Sequence, residues 1–141
     1  MIESTASVAQ PAPALQRPAR VLVVDDNSDF IESVSVFLRL EGYEVASAGS
    51  AYEMWRVLDG YEPDVVLLDI GLPDESGYDV ARALIARYRG HAPVLIALTA
   101  WNTVTDRMLA EFAGFDHHVA KPYDARALAD LIARSTYRVA T

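Results

Sequence analysis

Three short apolar runs constrain the fold of this chain more than any other feature: Val21-Leu22-Val23-Val24, Val65-Val66-Leu67-Leu68 and Val94-Leu95-Ile96-Ala97-Leu98. All three are rich in β-branched residues and contain no polar residue. A strand with one face in water alternates apolar and polar positions, whereas a strand covered on both faces does not. These runs therefore belong inside a parallel sheet with helices on either side. Two weaker runs, Glu44-Val45-Ala46-Ser47-Ala48 and His117-His118-Val119-Ala120, are partly polar and suit the edges of such a sheet.

Helical patterns fill the intervals. Phe30, Ile31, Val34, Phe37 and Leu38 recur at helical spacing, as do Val80, Leu84, Ile85 and Tyr88. Ser50 with Glu53 makes a capping box, and Ser28, Ser76, Thr103 and Asp124 are expected N-caps. Gly42, Gly60, Gly90 and Gly114 each follow a helical stretch, where a left-handed residue is expected, and a fifth helix is expected over Ala125–Ser135. Strand and helix thus alternate five times. The expected class is α/β, a single doubly wound (βα)₅ domain with right-handed crossovers and parallel strand order 2-1-3-4-5.

Composition narrows the chemistry. The 141 residues include no cysteine, which excludes disulfides, a thiolate nucleophile and zinc held by Cys. A net charge of −8 argues against direct contact with nucleic acid or an anionic membrane surface. No stretch approaches the ~20 apolar residues of a membrane helix, and no signal peptide opens the chain, so a cytoplasmic location is expected. Residues 1–19, rich in Ala and Pro, are read as a flexible leader, 20–138 as the domain and 139–141 as a tail.

In a doubly wound sheet the functional crevice lies beyond the carboxyl ends of the strands. The first strand ends in Asp25-Asp26, the third in Asp69, the fourth in Thr99 and the fifth in Lys121-Pro122. Three carboxylates in one crevice repel each other unless a cation joins them, and oxygen-only ligands point to Mg²⁺. A lysine and a threonine hydroxyl opposite them can hold phosphate oxygens. The set amounts to a phosphoryl-transfer site with an aspartate nucleophile.

These residues carry a resemblance. Val-Val-Asp25-Asp26, Leu-Leu-Asp69 followed by Leu72-Pro73 and Gly77, Leu-Thr99-Ala100 and Lys121-Pro122 resemble the motifs of the receiver domains of two-component response regulators, which have a flavodoxin-like fold. The order of the motifs and their separations of 43, 30 and 22 residues agree with that family across residues 20–138. The resemblance implies that Asp69 accepts a phosphoryl group from a histidine kinase or a histidine phosphotransfer protein. It implies Mg²⁺ on Asp26 and Asp69, with Asp25 helping through water and the Gly71 carbonyl completing the set. Lys121 and Thr99 would hold the phosphoryl oxygens, and the Lys121–Pro122 bond would be cis, a form that proline makes accessible at about 0.5–1 kcal/mol above trans.

Some positions depart from the family pattern. His118 stands where many receivers carry a Tyr or Phe that rotates on activation, and it is smaller and titratable. The resemblance implies that Gly71 and Trp101 occupy positions that tune phosphate lifetime. Trp101 is read either as a shield over the phosphate or as a rim aromatic. His117 and His118 are adjacent in a strand, point to opposite faces and cannot share a metal. Asp74 and Glu75 are read as a solvated acidic loop.

The expected function is a phospho-accepting signalling domain, not an enzyme with a separate substrate. Its output is expected through a downstream protein that binds the face formed by the fourth helix, fifth strand and fifth helix. A stand-alone regulator is expected, with a receiver cut from a hybrid histidine kinase as the alternative. Two further classes fit the residues less well. A haloacid-dehalogenase-like phosphohydrolase places Asp-x-Asp after its first strand, unlike this chain, and a pseudo-receiver typically lacks one of the site residues that are all present here.

Overall fold

The computed structural model describes residues 17–100, 103–121 and 124–139. Five strands, β1 (Arg20–Val24), β2 (Glu44–Ala48), β3 (Val65–Asp69), β4 (Val94–Thr99) and β5 (His117–Ala120), alternate with five helices. The helices are α1 (Ser28–Leu40), α2 (Ala51–Leu58), α3 (Gly77–Tyr88), α4 (Val104–Ala113) and α5 (Ala125–Val139). All strand pairs are parallel, in the order β2-β1-β3-β4-β5. The order and the edge positions of β2 and β5 are those expected from the run chemistry.

The continuous apolar runs divide by parity into two cores. Leu22, Val24, Val66, Leu68, Leu95 and Ala97 pack under α2, α3 and α4, against Met54, Leu84 and Ala110. Val21, Val23, Val65, Leu67, Ile96 and Leu98 pack under α1 and α5, against Val34, Leu38, Leu128 and Ile132. Both faces of β1, β3 and β4 are therefore dry, and truncating a residue such as Leu67 to Ala should cost about 2–5 kcal/mol.

Two helix-end expectations need correction. The cap of α1 is Asn27, not Ser28. Asn27 Oδ1 accepts the Phe30 N–H at 3.1 Å, while its own N–H is held by Asp25 at 2.9 Å, which keeps the residue extended as a cap must be. Gly60 is not left-handed, whereas Gly42, Gly90 and Gly114 are. Here α2 ends in tight turns, Asp59 N–H to Arg56 O and Gly60 N–H to Val57 O, so no left-handed residue is required. The left-handed cap of α3 is Arg89. Ser50, Ser76, Thr103 and Asp124 accept first-turn N–H groups as expected, and Thr103 forms a full capping box with Asp106. In the Ser50 cap, Glu53 reaches back to the Gly49 N–H.

Among the described residues no helix is long and apolar enough to cross a membrane. The last leader residues lie against the foot of the sheet: Ala19 accepts the Glu44 N–H at 3.0 Å and Arg17 pairs with Asp64 at 2.8 Å.

Candidate functional site

Parallel strands that start together also end together, so the residues just past β1, β3, β4 and β5 meet at one edge of the sheet. Asp25 stays in the sheet, its N–H bonded to Ala48 O at 3.1 Å, and its carboxylate is fully buried. Asp25 Oδ1 accepts from the Asn27 N–H, and Oδ2 accepts from Lys121 Nζ at 2.6 Å. Asp69 ends β3 and its Oδ1 accepts the Gly71 N–H at 2.9 Å. Lys121 Nζ stands 3.7 Å from Asp69 Oδ2 and 5.0 Å from the centre of the Phe30 ring. Asp26 is exposed beside them, and oxygens of Asp25, Asp26 and Asp69 lie within 4.8 Å of one another.

This crowding has an electrostatic signature. Burial pushes the Asp69 carboxyl above its ordinary range, and the charges of Asp25 and Asp26 push it the same way. The Gly71 N–H and the Lys121 ammonium oppose the shift. The carboxylates outnumber the cations that face them, so the donor set suits a hard divalent ion that keeps some of its waters. No backbone strain marks Gly71, whose φ is not left-handed, and a Cβ there would meet only Asp69 Oδ1 at 3.7 Å. Gly77 is different. Its N–H bonds Ile70 O at 3.0 Å, and a Cβ would lie 2.5 Å from Ile70 Cα, so a side chain there would displace the residue that follows Asp69.

Thr99 closes β4, is buried, and pairs in register with Ala120 just before Lys121. Lys121 N–H in turn bonds Thr99 O at 2.7 Å. His118 pairs with Ala97 and His117 with Ile96, so the two imidazoles leave opposite faces of the sheet. His118 lies on the α4 side with a buried Nε2 that has no hydrogen-bond partner. Burial lowers its pKa below the ordinary histidine value, Arg107 adds to that, and Asp106 opposes it. Trp101 and Pro122 fall outside the described residues.

The structure adds three residues that sequence patterns left out of the site. Asn27 braces Asp25, Phe30 stacks beside Lys121, and Asp74, exposed as expected of the acidic loop, is also bonded to the first turn of α2. Asn27 was legible as a cap-type residue next to Asp26. Asp74 carried no local signal, because its partners lie 22 and 23 residues away.

The profile of the response regulator receiver domain matches residues 21–133. The probable transcriptional regulatory protein TcrX of Mycobacterium tuberculosis is 43% identical over 107 residues, covering 76% of this chain and 45% of that protein. The DNA-binding response regulator MtrA of Mycolicibacterium paratuberculosis is 34% identical over 120 residues, covering 85% of this chain and 51% of its own. The chain thus spans about half the length of the curated relatives it matches. Among solved structures, a CheY-like receiver domain protein from Methanospirillum hungatei JF-1 superposes with a TM-score of 0.80 at 27% identity, over 86% of this chain and 96% of that one. The sequence match runs from the first strand into the last helix and the fold agrees with it throughout, so the chain belongs to the receiver domains of two-component response regulators.

Proposed function

We propose that this receiver takes a phosphoryl group from a phosphohistidine, on a histidine kinase or a histidine phosphotransfer protein, onto Asp69. The observation that carries the reading is the Asp69 carboxylate: set at a strand end, raised in pKa by burial first and by two neighbouring acids second, and 3.7 Å from a lysine already engaged with Asp25. An Asp69 oxygen forms the new P–O bond as the P–N bond of the donor breaks, and the electron pair returns to the imidazole nitrogen. Asp25, Asp26 and Asp69, with the Gly71 carbonyl, would hold Mg²⁺, which supplies positive charge beside the transferring phosphoryl oxygens. Lys121 exchanges part of its contact with Asp25 for a phosphoryl oxygen, and the Thr99 hydroxyl donates to another. The test is intact mass after exposure of the full chain to acetyl phosphate with Mg²⁺. A gain of one phosphoryl group, absent in Asp69→Asn, is expected. No gain in the wild type would overturn the reading.

Output is assigned to the face of α4, β5 and α5. The α4 residues Val104, Met108 and Phe112, spaced one turn apart, are all exposed, Phe112 by 92%, and they offer a protein partner an apolar stripe. Thr99 moving toward the phosphoryl group vacates space under α4 beside the buried His118 Nε2, and the neutral imidazole moves further in at lower desolvation cost. Activation by a phosphoryl mimic should therefore weaken as pH falls through the lowered His118 pKa, below the ordinary histidine value, and His118→Tyr should remove that dependence. Equal acid sensitivity in His118→Tyr would remove His118 from the switch. The name of the relative MtrA places a DNA-binding function in a whole protein of which the matched residues are 51%, and the receiver itself, with its net charge of −8, is proposed to contact protein, not DNA or membrane.

A further inference from the structure

The loop between β3 and α3, residues 70–76, carries the Gly71 peptide and is fixed at three places. Ile70 and Leu72 are buried in the core beneath α2 and α3. Gly77 closes onto Ile70 with no room for a side chain. The third anchor is Asp74, whose two carboxylate oxygens each accept a backbone N–H of α2, from Ala51 at 3.0 Å and from Tyr52 at 3.0 Å. Ser50 Oγ takes the next N–H, that of Glu53. A helix ordinarily fills its first-turn amides with its own cap residue and water. Here the first three are all filled, two of them by a residue of the loop that borders the phosphoacceptor. The positive end of α2 favours an anion at that point, and the two N–H bonds hold the Asp74 carboxyl below its ordinary range.

We propose that Asp74 is a positioning residue, which clamps the 70–76 loop to the first turn of α2 and thereby sets the Gly71 peptide in place beside Asp69. The inference rests on the proposed Mg²⁺ set of Asp25, Asp26, Asp69 and the Gly71 carbonyl. Asp74 stands three residues from Gly71. Without its two bonds, the stretch between Leu72 and Gly77 keeps the Ser76 cap on α3 but loses its tie to α2. The carbonyl of Gly71 then samples more orientations, and a cation that needs one of them binds less tightly.

The test is Mg²⁺ titration by calorimetry, with amide hydrogen exchange of the metal-free protein, on the full chain as wild type, Asp74→Ala, Asp74→Asn and Asp26→Asn. Asp74→Ala should bind Mg²⁺ roughly tenfold more weakly, the low end of what is lost when groups behind a metal ligand are removed. Asp74→Asn keeps one acceptor oxygen and should recover part of that loss. The Gly71 amide should exchange faster in metal-free Asp74→Ala, together with those of Ala51 and Tyr52. Unchanged Mg²⁺ affinity in Asp74→Ala beside a weakened Asp26→Asn would overturn the clamp alone. Faster exchange confined to Ala51 and Tyr52 would do the same, since Asp74 would then be a helix cap only. Mg²⁺ binding to Asp26→Asn as tightly as to wild type would overturn the metal set, and the clamp with it.

Discussion

Asp64 and Asp69 sit at the two ends of β3 and are equally buried, with 8% and 9% of their surface exposed, yet they serve opposite purposes. At the foot of the sheet, Asp64 is saturated. It takes two bonds from the Arg17 guanidinium, at 2.8 and 3.3 Å, and the Arg20 N–H at 2.8 Å, while its backbone ties β1 and β4 together. At the opposite edge, Asp69 has one short bond, a distant lysine and two acids for neighbours. A buried carboxylate with its partners in place holds structure; one that lacks them holds free energy that a cation or a phosphoryl group can release. Burial and residue type alone do not tell the two apart.

The comparison breaks most readily at Asp64. Asp64→Ala leaves the Arg20 N–H and Arg17 without their acceptor and should cost about 2 kcal/mol in urea unfolding, half-exposed Arg17 contributing the smaller share. A loss under about 0.5 kcal/mol would make the foot no better satisfied than the site.

Asp69→Asn should act in the other direction. With no metal present, it or Asp26→Asn should stabilise the domain by about 1 kcal/mol, roughly 3–5 °C in Tm by calorimetry. An equal or lower Tm in both variants contradicts the crowding. The pH dependence carries the same sign. The folded pKa of Asp69 is raised, so the stabilisation that goes with its protonated form is complete below the ordinary value of 3.8 and is lost as pH rises through the raised value. The metal-free wild type should lose stability over that interval, and Asp69→Asn should show a flatter profile.

A smaller effect belongs to Tyr61, whose hydroxyl bonds Val21 O and Glu44 O at the foot and whose pKa burial pushes up to about 12. Tyr61→Phe should cost about 0.5–1 kcal/mol. Spectrophotometric titration should show one tyrosine ionising near 12, with stability complete below 10 and lost as pH rises through that value. The smallest change is expected for Gly60→Ala. Nothing lies within 4 Å of the added carbon and the backbone is not left-handed, so the effect on Tm should correspond to less than about 0.5 kcal/mol. Gly42→Ala, at φ +99°, should cost about 1 kcal/mol by the same measurement.

The two ends also differ in how far their residues could be read. Asp25, Asp26, Asp69, Thr99 and Lys121 were legible because each follows a strand-like run, apolar for the first four and partly polar for Lys121, and a run's end is visible in one dimension. Arg17 and Asp64 were not, since a leader arginine and an acid before a strand look like ordinary solvated charges. Gly60 and Gly42 look identical after a helical pattern, and only the way α2 closes, in tight turns, separates them. Ser28 suits the cap by residue type, but the bond from Asn27 to Asp25 sets the cap one residue earlier.

What the chain determines by itself is burial and direction. Runs without polar residues must be covered on both faces, covered strands in such a sheet run parallel, and parallel strands deliver their final residues to one edge. That logic assembles the acids, the threonine and the lysine with no knowledge of any contact. The tertiary structure decides which groups are partners: that Lys121 lies closer to Asp25 than to Asp69, that Asp74 serves the helix of another unit, and that His118 is left with a buried, unpartnered nitrogen under α4. Periodicity encodes which side of an element avoids water. A hydrogen bond or an ion pair forms only at about 3 Å, and packing sets that distance between residues tens of positions apart.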